Sequence, residues 1–152
     1  MALTACPESF TANIPEIKAL IHQHWEKLAL NKDKVPLDPQ WNNYIARESL
    51  GELLFIALRN KGKMVGYAIF LIAPGLHYKT CLTATMDIWN VLPGYEGPKA
   101  LLTLWNAVEK ELKRRGVNRS FVGEKLHKPC GKLYKYLGYE PVEMTYAKWI
   151  QD

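Results

Sequence analysis

The stretch Leu82-Thr83-Ala84-Thr85-Met86-Asp87-Ile88-Trp89-Asn90-Val91-Leu92-Pro93-Gly94-Tyr95-Glu96-Gly97-Pro98-Lys99-Ala100-Leu101-Leu102 changes character within a few residues. Its first half, Leu82 to Leu92, carries Thr83, Thr85, Ile88, Trp89 and Val91, the β-branched and aromatic residues that suit a buried strand. Pro93-Gly94 ends that strand. From Pro98 the period is helical: Leu101, Leu104, Trp105, Val108 and Leu112 recur at three and four, forming one face of a helix that Gly116 stops. A strand that feeds directly into a helix makes the helix N-terminus a natural place for a phosphate, and the loop Leu92 to Lys99 occupies that place.

Upstream, residues 53–60 and 64–74 read as two strands joined by a tight turn at Gly62, an antiparallel hairpin closed by Pro74-Gly75. Asn13 and Glu16 have capping-box spacing, and Ile17, Leu20, Ile21, Trp25 and Leu28 predict a helix over 14–29. Asp38 caps a second helix with Pro39 at its first position, ending near Ser49 to Gly51. Downstream, Ser120 to Gly123 reads as a short strand and Pro129 to Leu137 as a short helix with Gly138 as its left-handed stop. Val142 to Ile150 reads as a terminal strand. This order predicts an α+β fold with a mixed, mostly antiparallel central sheet flanked by helices. With no internal repeat and no long linker, one domain over 1–152 is expected.

Apolar residues make up 48% of the 152 and charged residues 23%, a balance that argues against disorder. The apolar run Met64 to Pro74 is broken by Gly66 and falls short of the roughly 20 residues of a membrane span, so no membrane association is expected. The first residues lack a basic stretch followed by an apolar one, which predicts a cytoplasmic location. Cys6, Cys81 and Cys130 read as free thiols, and no metal site is expected. His22 and His24 point to different sides of the predicted first helix, which makes them surface residues rather than a chelating pair. His127 and Cys130 lie three apart but lack a third, orienting residue. The net charge of +5 favours anionic partners. Much of it sits in Lys110, Lys113, Arg114 and Arg115, where a helix C-terminus accounts for it without nucleic acid. Trp25, Trp41, Trp89 and Trp105 fall on apolar faces, whereas Trp149 suits a sheet edge or a subunit contact.

Two stretches resemble the GNAT acyltransferase family, which moves an acetyl group from acetyl-CoA to an amine. Val91 to Leu102 is similar to the family's strand-to-helix segment V-x-P-x-Y-R-G-x-G-x-G. Val91, Pro93, Tyr95 and Gly97 agree with it, while Glu96, Lys99 and Leu101 stand at its Arg and later Gly positions. Lys132 to Tyr139 is similar to the signature L-Y-x-x-L-G-F. The resemblance implies acetyl-CoA as cosubstrate, lying between the strand ending near Val91 and the strand at Ser120 to Gly123. The backbone of Ile88, Trp89, Asn90 and Val91 would hold the pantetheine arm, and Tyr95, Gly97, Lys99, Ala100 and Leu101 the pyrophosphate. Tyr134 falls where the family uses a tyrosine as general acid, a role suited to a phenol of pKa about 10. Asp87 is the acidic residue within the central strand and the leading candidate for general base, with Glu52 and Glu124 as substitutes. The implied acceptor is a primary amine on a small molecule or a protein, and a homodimer is among the implied partners. The final stretch also resembles small GNAT-like proteins of tailed phages, which keeps open a module that binds, or serves a virion or host-interaction role, without turnover.

Overall fold

The computed structural model describes residues 2–151. Nine elements follow one another: β1 (Leu3–Pro7), α1 (Phe10–Leu28), α2 (Trp41–Ser49), β2 (Leu53–Asn60), β3 (Lys63–Gly75), β4 (Tyr78–Val91), α3 (Pro98–Arg114), β5 (Arg119–Phe121) and α4 (Gly131–Tyr136). The strands form a single sheet in sequence order, with antiparallel pairing from β1 to β4 and parallel pairing of β4 with β5 through the α3 crossover. The α+β, mostly antiparallel architecture expected from the sequence is therefore present. Among the described residues, no helix is long and apolar enough to cross a membrane.

Both faces of the sheet are covered, which is why β2 and β3 read as continuous apolar runs rather than alternating ones. On one face Leu54, Ile56 and Phe70 of the sheet pack with Leu104 and Trp105 of α3 and Tyr134 of α4. On the other, Phe55, Tyr67 and Ile69 of the sheet pack with Phe10 and Ile17 of α1 and with Trp41 and Tyr44 of α2.

Four sequence expectations need correction. β1, which pairs along β2, is an unforeseen strand: five residues containing a proline give no periodic signal. Helix α1 begins at Phe10 because Ser9, not Asn13, is its cap; Ser9 Oγ accepts the Ala12 amide at 3.1 Å, and Asn13 turns to Glu8 and Arg59 instead. The Glu48 carboxylate, delivered by α2, accepts the Phe10 and Thr11 amides and so satisfies the remaining donors of that terminus. Helix α2 starts at Trp41 with Gln40 as cap, since Pro39 holds the chain before it extended. Residues 142–150 form no strand and lie exposed.

At Gly66 the β4 main chain leaves no room for a side chain. A Cβ there would stand 2.8 Å from the Asn90 carbonyl oxygen and 3.2 Å from side-chain atoms of Leu58 and Val91. Backbone blocks it, so relief requires parting the ladder. Gly66→Ala is expected to lower the unfolding free energy by about 1–3 kcal/mol in urea titrations. Gly97→Ala, whose Cβ meets nothing within 4 Å among the described residues, should cost well under about 1 kcal/mol.

Candidate active site

The site follows from how β4 treats its two neighbours. Asn118 ties the start of β5 to β4, its amide donating to Leu82 O and its side-chain oxygen accepting the Leu82 amide, both at 2.8 Å. Pairing then runs Thr83↔Arg119, Ala84↔Ser120 and Thr85↔Phe121, and stops. On the β3 side, Phe70 pairs with Met86 and Ile69 with Ile88, so Asp87 is an extra residue in a β-bulge. A bulge bends and twists its strand. From Met86 to Val91, β4 has β3 on one side and no ladder with β5 on the other. Strands clamped at one end and parted at the other leave a wedge whose wall is the β4 main chain.

Tyr134 bridges this parting. Its hydroxyl accepts the Trp89 indole N–H at 2.9 Å and donates to Gly123 O at 2.8 Å, with Met86 Sδ at 3.7 Å. Tyr134 is 7% exposed, and burial pushes its phenol well above the ordinary range, against a smaller lowering by the Trp89 hydrogen bond. The group stays protonated throughout the working pH range. Asp87 lies on the other face, where Tyr44 of α2 donates to its carboxylate at 2.5 Å. Burial, then that hydrogen bond, raises the Tyr44 pKa. The two candidate catalytic groups thus flank β4 from opposite faces rather than touching.

Of the predicted cofactor-binding residues, Trp89 and Val91 turn toward the α3 side, Ile88 toward α1, and Asn90 is buried. Tyr95 packs against the α3-side core, its amide donating to Leu92 O at 3.0 Å. Gly97 is the cap of α3 and Pro98 its first residue. The Ala100 and Leu101 amides both donate to Gly97 O, at 3.1 and 3.2 Å, so an anion at this terminus shares these donors with the helix. Lys99 opens the helix beside them. The Glu96 carboxylate lies 3.7 Å from Lys27 Nζ and 4.0 Å from Lys128 Nζ, so the loop rim holds two cations around one anion.

The substitute bases are placed elsewhere in the bonding pattern: Glu52 pairs with Arg47 at 3.6 Å, and Glu124 accepts the Cys130 amide at the start of α4. His127 and Cys130 do not form a pair. His127 Nε2 reaches Lys27 O at 3.3 Å and Cys130 Sγ reaches Lys128 O at 3.7 Å. Burial, with the Glu124 charge second, raises the Cys130 thiol pKa, the opposite of activation.

His24 contradicts its expected surface position: it is 5% exposed, with Nδ1 2.9 Å from the Tyr67 hydroxyl and Nε2 buried without a partner. The buried residues of α1 are Phe10, Ile17 and His24, each seven apart, so the heptad step from Ile17 was the available signal. Tyr67 is fully buried, with its pKa raised by burial and by the Asp87 charge. The face of β4 carrying Asp87 thus ends in a polar group of Tyr44, Tyr67 and His24 within an aliphatic layer. Sequence reading passed over these three because Tyr44 and Tyr67 look like core filling and His24 reads as a surface residue.

No family model matches the chain, and no curated protein matches it. Solved structures share its fold. The ribosomal-protein-alanine N-acetyltransferase from Brucella melitensis biovar Abortus 2308 superposes with TM-score 0.75 at 14% identity, covering 99% of this chain and 100% of that one. An aminoglycoside acetyltransferase, HMB0005, from an uncultured soil metagenomic sample gives 0.76 at 15%, with 99% and 100% covered. A predicted acetyltransferase from Clostridium acetobutylicum, solved with acetyl-CoA, gives 0.70 at 14%, with 98% and 94% covered. The chain therefore has the GNAT acetyltransferase fold.

Burial, and secondarily the charges of Lys128 and Lys27, depress the His24 pKa to about 4. The unfolded chain binds this proton near pH 6.5 while the folded chain refuses it. Stability is then complete above about pH 6.5 and declines as pH falls toward 4, by an amount on the order of 3 kcal/mol. In His24→Gln, urea titrations should show a shallower loss over this window. An unchanged pH slope would refute a buried neutral histidine.

Proposed function

We propose that the chain is an N-acetyltransferase that carries the acetyl group of acetyl-CoA to a primary amine by direct attack. The observation that carries this reading is the parting of β4 from β5. An extended strand edge, Met86 to Val91, runs without a ladder on the β5 side straight toward a Gly97-capped helix N-terminus. Such an edge suits the amides of a pantetheine arm, which can add to Ile88, Trp89, Asn90 and Val91 much as a strand would. The helix terminus suits the pyrophosphate, with Tyr95 and Gly97 shaping the turn and Lys99, Ala100 and Leu101 opening α3. Lys27 and Lys128 offset the Glu96 charge at its rim. The fold shared with acetyltransferases, one of them solved with acetyl-CoA, supports the same assignment.

In this reading the amine nitrogen attacks the thioester carbonyl carbon within the wedge, giving a tetrahedral intermediate. Asp87, oriented by the Tyr44 hydroxyl, takes the proton that the nitrogen sheds. Collapse of the intermediate breaks the carbon–sulfur bond, and the thiolate of CoA departs with the electron pair. Tyr134 supplies the proton: Trp89 anchors its oxygen, and its hydrogen points toward Gly123 O, where an arriving sulfur competes for it. The products are an amide and free CoA. The acceptor approaches from the α1 and α2 face, where Asp87, Tyr44, Tyr67 and His24 gather.

One observation favours a second reading, a module that binds without turnover: the Tyr134 hydroxyl already serves as both acceptor and donor across the parting. Calorimetry separates the two. Acetyl-CoA is expected to bind with a micromolar Kd, and Lys99→Glu to weaken it about ten-fold or more. With a panel of primary amines, thiol release should fall about a hundred-fold in Tyr134→Phe at nearly unchanged acetyl-CoA affinity and an unchanged melting midpoint. No heat at millimolar acetyl-CoA overturns both the enzyme and the cofactor-binding module. Binding with no thiol release from any amine leaves the module.

A further inference from the structure

The chain holds five arginines, and four of them meet carboxylates. Arg47 lies 3.6 Å from Glu52, Arg59 2.8 Å from Glu8, and Arg114 and Arg115 lie 2.7 and 3.0 Å from Glu111. Among the described residues Arg119 alone has no carboxylate partner. It opens β5, and its Nε–H donates to the Thr83 hydroxyl at 3.1 Å. Its guanidinium carbon stands 4.9 Å from the centre of the Tyr78 ring and 5.1 Å from that of Phe121. Its η N–H groups find no acceptor among the described residues.

Two rings and one hydroxyl hold this guanidinium in place. Thr83 is 8% exposed, so the acceptor that fixes Nε is itself fixed. Stacking uses the faces of the guanidinium plane and leaves its η edge free. That edge is a planar fork of donors matched to a carboxylate or a phosphate. Gly75 lies beside it: a Cβ there would stand 3.9 Å from Nη2, and a larger side chain would cover that nitrogen. A long side chain ordered before its ligand arrives has already met part of the entropic cost of binding.

Arg119 shares a face of the sheet with Asp87. Thr83 and Thr85 alternate with Leu82, Ala84 and Met86 of the α3-side core, so they face the side of α1 and α2, and the register adds Arg119 and Phe121 to that face. The helices cover β2, β3 as far as Leu71, and Ile88 of β4. Beyond Leu71 the face opens, and Ala73, Thr85 and Arg119 are exposed. A strip of uncovered sheet therefore joins the carboxylate of Asp87 to the guanidinium of Arg119 by way of Thr85. Four residues of β4 separate Thr83 from Asp87, about 13 Å in a straight strand and on the order of 10 Å across the bulge.

We infer that Arg119 receives the anionic end of the acceptor, so that the substrate class is a primary amine bearing a carboxylate or phosphate about 10 Å from its nitrogen. The inference rests on the acetyl-transfer reading, which places the amine at Asp87. A carboxylate at one end of the strip and a guanidinium at the other complement a dipolar molecule. They also select against others. A polyamine would set a second ammonium against Arg119, and an amine with an apolar tail would leave the fork unused.

Thiol release with matched acceptor pairs tests it: triglycine against its C-terminal amide, and an aminoalkyl phosphate of the same reach against the alcohol. An extended tripeptide spans about 10 Å. The anionic member of at least one pair is expected to show a KM about ten-fold lower at similar kcat, because the contact is made equally in ground and transition states. The pair that shows it names the group as carboxylate or phosphate. The advantage should shrink in about 0.5 M salt. In Arg119→Gln the ratio within the pair should fall toward one, and Arg119→Lys should keep part of it, since the charge remains and the fork is lost. A merely structural role would weaken both members of a pair together and leave their ratio as it was. Equal use of anionic and neutral members, or a preference that survives Arg119→Gln, overturns the inference and leaves acetyl transfer standing. Thiol release from no amine at all overturns both. Should the variants fail to fold, the native ratio and its salt dependence decide.

Discussion

A strand inside a sheet must satisfy its main-chain groups on both sides, and β4 does so only as far as Thr85. What happens next organises the molecule. Asn118 pins β5 to Leu82, the bulge at Asp87 turns β4, and the strands can no longer stay in register. Everything of chemical interest gathers where they part: Trp89 and Tyr134 across the gap, Asp87 and Tyr44 behind it, and the start of α3 at its outer end. The rest of the core, thick on both faces, exists to hold that one discontinuity open.

The sequence made the architecture readable where hydrophobic period and punctuation agree. Gly62, Pro74-Gly75, Pro93-Gly94, Gly116 and Gly138 each mark a real boundary, and four of the glycines among them take positive φ: Gly62, Gly94, Gly116 and Gly138. It failed where a terminus is satisfied from a distance. The start of α1 is capped by Ser9 but needs Glu48, which lies on another helix, for the Phe10 and Thr11 amides, whereas the capping-box spacing at Asn13 pointed four residues too far along the chain. Such a partner is invisible to any window of local spacing. The arm after Tyr139 fails for a related reason: its alternation is a strand pattern, but a strand is defined by its neighbour, and none of the five strands pairs with it.

Site residues divide along the same line. Asp87 stood out because an acid within an apolar strand is conspicuous, and Tyr134 because it falls within a recognisable signature. His24, Tyr44 and Tyr67 had no such mark. Each becomes informative only through a contact spanning dozens of residues, Tyr67 to His24 and Tyr44 to Asp87. Buried polar groups of this kind are expensive in an aliphatic layer, and the unpartnered Nε2 of His24 makes this set more so. That expense falls beside the bulged half of β4.

Glu96 illustrates how a residue can mislead when its charge is considered alone. By sequence it is a carboxylate beside a helix terminus that should attract anions, and simple electrostatics counts it against a pyrophosphate. In the fold, α1 brings Lys27 and the segment before α4 brings Lys128 to within 3.7 and 4.0 Å of it. All three groups are partly solvated, so each pair contributes little to stability. Their effect is on the field instead: two ammonium groups around one carboxylate leave this trio with an excess positive charge. The carboxylate stands between the two ammonium groups at the loop. A cation at position 96 would repel them. The departure from the resembled pattern at this position and the lysines on two other elements are therefore one feature, a charge arrangement at the loop rim built from three segments of the chain.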